Sequence, residues 1–133
     1  MNLFLDSSAV IEFLKSNQRV IDAISGADEV YTSSICAYEV LVGEEYVRAK
    51  GGHSSYDSTR RFFDTISTLR LDYSDAVNAA KLSATLMLKG KKIDDFDALI
   101  ASQALSRGAE VLTKDRRHFG LIGKETGLKI EGV

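Results

Sequence analysis

Three short apolar runs punctuate the chain, and each gives way at once to small or polar residues. Leu3 to Leu5 leads into Asp6, Ser7 and Ser8 and then the helix-like stretch AVIEFLK. Val30 to Thr32 leads into Ser33 and Ser34, two potential helix caps, and a long apolar segment from Ile35. Val111 to Thr113 leads into Lys114 and Asp115. Runs of this length and composition fit buried strands feeding helices. Leu69 to Leu71 and Leu128 to Ile130 are further candidate strands, and helical periodicity covers 56 to 68, 74 to 89 and 95 to 107. Gly108 supplies a C-terminal stop for the last of these. Alternating strands and helices predict an α/β fold, with a mainly parallel sheet covered on both faces.

The 133 residues fit one domain, 1–133, large enough to bury a core without covalent staples. No proline, low-complexity segment or internal repeat interrupts the chain, and the loosest stretch is KGGHSSYDS, residues 50 to 58. No apolar run reaches the ~18 residues of a membrane span. The opening MNLFLDSSAVIEFL lacks a basic leader and is broken by Asp6, so no signal peptide is expected. The single cysteine, Cys36, allows no internal disulfide, in keeping with a cytoplasmic location. Its apolar surroundings predict a buried small residue rather than a nucleophile.

Four acids occupy informative positions. Asp6 directly follows the first apolar run and Asp115 follows the third by two residues. Ligand crevices in parallel sheets open at the strand carboxyl ends. If these strands are neighbours, ~4.8 Å apart, both side chains reach one crevice. Each is equally readable as a turn or cap aspartate. Glu39 stands inside ICAYEVLVG, on a helix face shared with Ile35, Val42 and Tyr46. A carboxylate buried on such a stripe needs a partner, either a cation or an arginine. Asp97 lies in the first turn of the helix in IDDFDALIAS, where a negative charge is also favoured by the helix terminus alone. Asp94 has the better claim to cap that helix and is a possible peripheral member of a site, whereas Asp95 is expected to be a solvated acid.

Other chemistries lack their parts. Neither His53 nor His118 has zinc-ligand spacing, and no Walker loop or serine-nucleophile elbow is present. His118 follows basic residues and is readable as a phosphate contact or as a surface residue. An aspartyl-phosphate phosphatase also places an aspartate after its first strand, but generally wants a second two residues later, where this chain has Ser8.

LDSSAVIEFL, YEVLVG, DALIASQAL and VLTKDRRHF, taken in this order, resemble the four motifs of PIN domains, specifically the VapC-like toxins of prokaryotic toxin–antitoxin systems. The resemblance implies a three-layer α/β/α sandwich and a magnesium- or manganese-dependent RNase. It places the acid quartet on Asp6, Glu39, Asp97 and Asp115, with Ser8 as a supporting contact near Asp6 and Thr113 near Asp115. Carboxylate oxygens are the ligands that Mg²⁺ and Mn²⁺ prefer, and four of them balance one or two divalent ions. The expected reaction is in-line attack of water on an RNA phosphodiester, leaving 5′-phosphate and 3′-hydroxyl ends. The resemblance further implies a homodimer and a small antitoxin protein. It extends to PIN nucleases that process RNA without being toxins, and a non-catalytic module on the same fold is a third reading.

The formal charge is −2, mildly unfavourable for a nucleic-acid partner. With the four site acids set aside, however, 17 basic residues face 15 acidic ones. Lys91 and Lys92 precede Asp94, while Lys114, Arg116 and Arg117 flank Asp115. These five are candidate phosphate contacts, although charged runs are equally at home as solvated helix ends.

Overall fold

The computed structural model describes residues 1–133 as an alternating series of strands and helices. In chain order these are β1 (Asn2–Leu5), α1 (Ser7–Leu14), α2 (Gln18–Ser25), β2 (Glu29–Ser33), α3 (Ser34–Ala49), α4 (Tyr56–Thr65) and β3 (Ser67–Leu69). They are followed by α5 (Tyr73–Leu88), α6 (Asp95–Ser106), β4 (Ala109–Thr113), α7 (Arg116–Thr126) and β5 (Ile130–Gly132). The five strands form one sheet in the order β3-β2-β1-β4-β5, and every pairing is parallel.

Side-chain alternation along the central strands sorts the helices into two layers. Leu3, Leu5 and Leu112 point to one face and pack with Ala9 and Val10 of α1, Val20 of α2, Val40 of α3 and Phe63 of α4. Phe4 and Val111 point to the other and pack with Leu82 and Leu86 of α5, Ala101 and Ala104 of α6, and Phe119 and Ile122 of α7. The result is the three-layer α/β/α sandwich. Cys36 is fully buried, and burial pushes its thiol up to about 11, so it is a packing residue and not a nucleophile.

Strand order reverses between β1 and β4. From β1 the chain builds outward to β2 and β3, and then crosses back to β4 and β5. β1 and β4 are direct neighbours, with Leu5 opposite Leu112 in the register. A crevice therefore opens beyond their carboxyl ends, where Asp6 and Asp115 stand.

The elements depart from the sequence expectation at the edges. Two helices had no prediction. α2 is short and buries only Val20, while α7 (RRHFGLIGKET) opens on bases and contains two glycines. Gly123 is required there, because a Cβ would approach the Leu128 carbonyl oxygen to 2.8 Å, and Gly127 ends the helix at φ +79°. The predicted strand 69–71 is realised at Ser67–Leu69, which the helical pattern 56–68 had partly claimed; the backbone turns extended at Ile66. The predicted strand 128–130 lies two residues later, at Ile130–Gly132.

Candidate active site

Asp6 is the hinge between β1 and α1. Its extended backbone makes it the N-cap of α1, and Oδ1 accepts the Ala9 N–H at 2.9 Å and the Ser8 hydroxyl at 2.6 Å. Oδ2 accepts a short hydrogen bond from Thr113 at the end of β4. The carboxyl is almost fully buried, and burial raises its pKa despite three donors that act the other way. Ser8 thus touches the Asp6 carboxylate directly. Thr113 touches both acids: its hydroxyl donates to the Asp6 carboxylate, and its oxygen accepts the backbone N–H of Asp115 at 2.8 Å. Ser8 adds a further tie across the crevice by accepting the Lys114 N–H at 2.9 Å.

Asp115 is the N-cap of α7. Its Oδ1 accepts the N–H groups of Arg117 at 3.2 Å and His118 at 3.3 Å. Asp94 caps α6 in the same way, accepting from Phe96 at 2.9 Å and Asp97 at 3.4 Å. With the cap role filled by Asp94, the Asp97 side chain is free to face the crevice. There its Oδ2 lies 3.1 Å from His118 Nδ1, and Asp115 Oδ2 lies 3.4 Å from the same nitrogen. Burial, reinforced by the charges of Asp94 and Asp115, pushes the Asp97 carboxyl up to about 6, and the His118 hydrogen bond only partly offsets this. Asp95 is exposed, as expected.

Asp97, Asp115 and His118 each offer a ligand atom within 4.8 Å of the others. Asp6 lies behind this group, linked to it through Thr113, and the Asp6 carboxyl feels the charge of Asp115. Glu39 stands further out. The expectation that it is buried on an apolar stripe is wrong: Glu39 is exposed, as are Val42 at 48% and Tyr46 at 62% on the same face. The buried side of α3 is instead that of Cys36 and Val40. What holds Glu39 is the hydroxyl of Ser7, which donates to Oε1 at 2.5 Å, so the glutamate is tied to the residue next to Asp6. The ion pairs of the chain lie elsewhere, and the buried-arginine alternative drops out.

His118 is the site-facing residue that spacing rules passed over, because they look for pairs of histidines or cysteines. An Asp-x-x-His at the start of a helix places both side chains on one face and is a usable signal. Among the five candidate phosphate contacts, Lys91 and Lys92 are exposed in the turn before α6, and Arg117 is exposed on the first turn of α7. Lys114 is exposed but paired with Glu12 of α1 at 2.9 Å. Arg116 is likewise exposed, although its stem lies against the backbone of Gly132, where a Cβ would meet its Cδ at 2.6 Å.

Acidic side chains from different elements thus meet at the strand-order reversal of a parallel α/β/α sandwich. Residues 3–124 match the family model described as PIN domain, and the chain belongs to that family. It is 25% identical over 128 residues to ribonuclease VapC1 of Methanocaldococcus jannaschii, covering 96% of this chain and 85% of that protein. It is 28% identical over 99 residues to the tRNA(fMet)-specific endonuclease VapC of Shigella flexneri, covering 74% of this chain and 71% of that protein. Among solved structures, it superposes on VapBC2 from Rickettsia felis bound to a promoter DNA fragment with a TM-score of 0.79, at 18% identity and with 100% and 99% of the two chains covered. DNA-bound VapBC from Salmonella typhimurium gives a TM-score of 0.79 at 22% identity, covering 99% and 98%. These structural likenesses confirm the fold.

Proposed function

We propose that the chain is a metal-dependent endoribonuclease and the toxin of a toxin–antitoxin pair. The observation that carries this reading is the convergence of Asp97 and Asp115 on one crevice, with Asp6 linked behind them, in a chain matched to the PIN family over residues 3–124. Asp97 and Asp115 fit a hard divalent cation such as Mg²⁺ or Mn²⁺: their carboxylate oxygens are partly exposed and close enough to share an ion. Asp6, Glu39, Asp97 and Asp115 would hold one or two ions. A bound ion would supply Lewis-acid charge and a water of lowered pKa.

The protein's own contribution is placement. Ser8, Ala9 and Thr113 fix the Asp6 carboxylate from three sides, so its position costs no reorganisation. The caps of α6 and α7 fix the first turns carrying Asp97 and His118. Exposed Lys91, Lys92 and Arg117 offer positive charge to the phosphates of an RNA strand crossing the crevice.

The relatives are named as a ribonuclease and a tRNA endonuclease, and the solved neighbours are toxin–antitoxin complexes, which supports both RNA as substrate and a small antitoxin as partner. An arginine of such a partner, entering the crevice, would pair with its carboxylates and block it. A homodimer also belongs to this reading. On α5, Leu82 and Leu86 are core residues, whereas Val77 at 38% and Met87 at 64% exposure are open to a second copy. The deciding experiment incubates the purified chain with total RNA in Mn²⁺ and in EDTA. Cleavage in Mn²⁺ alone, suppressed by the co-expressed small protein, supports the reading; RNA left intact in both overturns it.

A further inference from the structure

Resting on the proposed function, the geometry points to His118 as a nitrogen ligand of the same metal site, one that biases the site toward later transition ions over Mg²⁺. An octahedral ion with ligands at about 2.1 Å places neighbouring ligand atoms about 3.0 Å apart and opposite ones about 4.2 Å apart. His118 Nδ1 lies 3.1 Å from Asp97 Oδ2 and 3.4 Å from Asp115 Oδ2, and the three residues offer atoms all within 4.8 Å of one another. The imidazole nitrogen is therefore spaced from the two carboxylate oxygens as neighbouring ligands of one such ion would be.

Three features hold the ring there. The His118 backbone N–H is bonded to Asp115 Oδ1, which leaves Oδ2 of the same carboxylate facing the ring. Phe119, the next residue, is fully buried and anchors the first turn of α7. Asp97 comes from α6, a separate element, so the three ligand atoms meet through tertiary packing rather than through one local turn. Binding through Nδ1 would replace its contact with Asp97 Oδ2 by a shared metal.

An all-carboxylate site suits Mg²⁺ and Mn²⁺, whereas imidazole raises affinity along the series toward Co²⁺ and Ni²⁺. The chemistry thus assigns this chain a steeper preference for later ions than four carboxylates alone would give. A residue that only orients Asp97 would behave differently, because its loss would weaken every ion by a similar factor.

The test uses the full chain and the metal ions alone. Spin-echo spectroscopy of the Mn²⁺-loaded protein should show modulation from a directly bonded ¹⁴N, lost in His118→Gln and kept in His53→Gln. Calorimetric titration should show Ni²⁺ affinity falling roughly 10–100-fold in His118→Ala, while Mg²⁺ affinity changes much less. Loss of Ni²⁺ and Mg²⁺ affinity by one common factor would overturn the proposal. So would Mn²⁺ bound in the wild type without ¹⁴N modulation, a readout that needs no variant to fold. In either case an intact Mn²⁺-dependent cleavage of RNA would leave the nuclease reading standing, whereas a chain that binds no divalent ion at all would remove both.

Discussion

Thr113 and Asp6 sit at the ends of neighbouring strands, and the threonine hydroxyl donates to the buried carboxylate while its oxygen accepts the backbone N–H of Asp115. One side chain thereby fixes an acid on β1 relative to an acid after β4. Thr113→Val keeps the shape but removes both bonds, leaving a buried carboxylate short of a donor and a backbone N–H without its partner. Unsatisfied groups of this kind cost about 1–3 kcal/mol each. Thr113→Val should lower the urea midpoint and reduce RNA cleavage, and Thr113→Ser should restore most of both. A valine variant with wild-type stability and rate would show that the tie is incidental.

The acid quartet is tested by amides, which remove charge with little change in shape. Asp6→Asn, Glu39→Gln, Asp97→Asn and Asp115→Asn should each abolish Mn²⁺-dependent cleavage of RNA, and Asp95→Asn, on the solvent side of α6, should be mild. Glu39→Gln is the most informative, because Glu39 is exposed and joined to the site only through Ser7. Wild-type cleavage by purified Glu39→Gln protein would confine the reaction to the crevice acids.

Exposed Lys91, Lys92 and Arg117 carry the proposed phosphate contacts. Each alanine substitution should weaken RNA binding about equally for different sequences. Each should also flatten the dependence of log K on log salt, by ~0.7 for every phosphate that is no longer neutralised. Measuring binding of the cleavage-dead Asp97→Asn chain across a salt series checks this. Lys114 is expected to matter less, since its ammonium is already paired with Glu12. An unchanged salt slope in all three variants would leave these residues as solvated helix ends.

Asp6 and Asp115 were legible in the sequence because each follows an apolar run closely, and strand ends are where parallel sheets bind ligands. That the two strands are neighbours, with Leu5 opposite Leu112, was not legible, because pairing is decided by packing across the whole sheet. Glu39 was misread for a related reason: apolar neighbours in sequence suggested burial, yet the face carrying Val42 and Tyr46 is open to solvent. α7 was hidden by its two glycines and its run of bases. It forms because Asp115 caps it and Phe119 and Ile122 anchor it in the core. His118 was hidden along with it, since its place in the site depends on that helix existing and on Asp97 arriving from another.

The pH dependence of stability separates a cation site from a set of ordinary structural acids. The Asp97 carboxyl is raised from 3.8 to about 6 in the metal-free fold, first by burial and then by the charges of Asp94 and Asp115. A carboxyl raised on folding contributes stability that is fully present below its unfolded value, near 4, and lost as pH climbs through the folded value, near 6. Metal-free protein should therefore lose on the order of 2 kcal/mol from this group between about pH 4 and pH 7. Asp97→Asn has no such proton to lose. In EDTA at pH 7–8 it should melt at or above the wild type, and at pH 4 the advantage should vanish. Divalent metal should reverse the order, because Mn²⁺ binds the folded state of the wild type and raises its melting temperature by mass action, while the variant lacks one ligand. If Asp97 served only the terminus of α6, its loss would cost roughly 0.3–1 kcal/mol at neutral pH and leave the Mn²⁺ shift unchanged. Thermal melting of both proteins in EDTA and in Mn²⁺, at pH 4 and pH 7.5, decides between them. A metal-free variant that melts clearly lower at pH 7.5, with the full Mn²⁺ shift retained, would make Asp97 a structural residue.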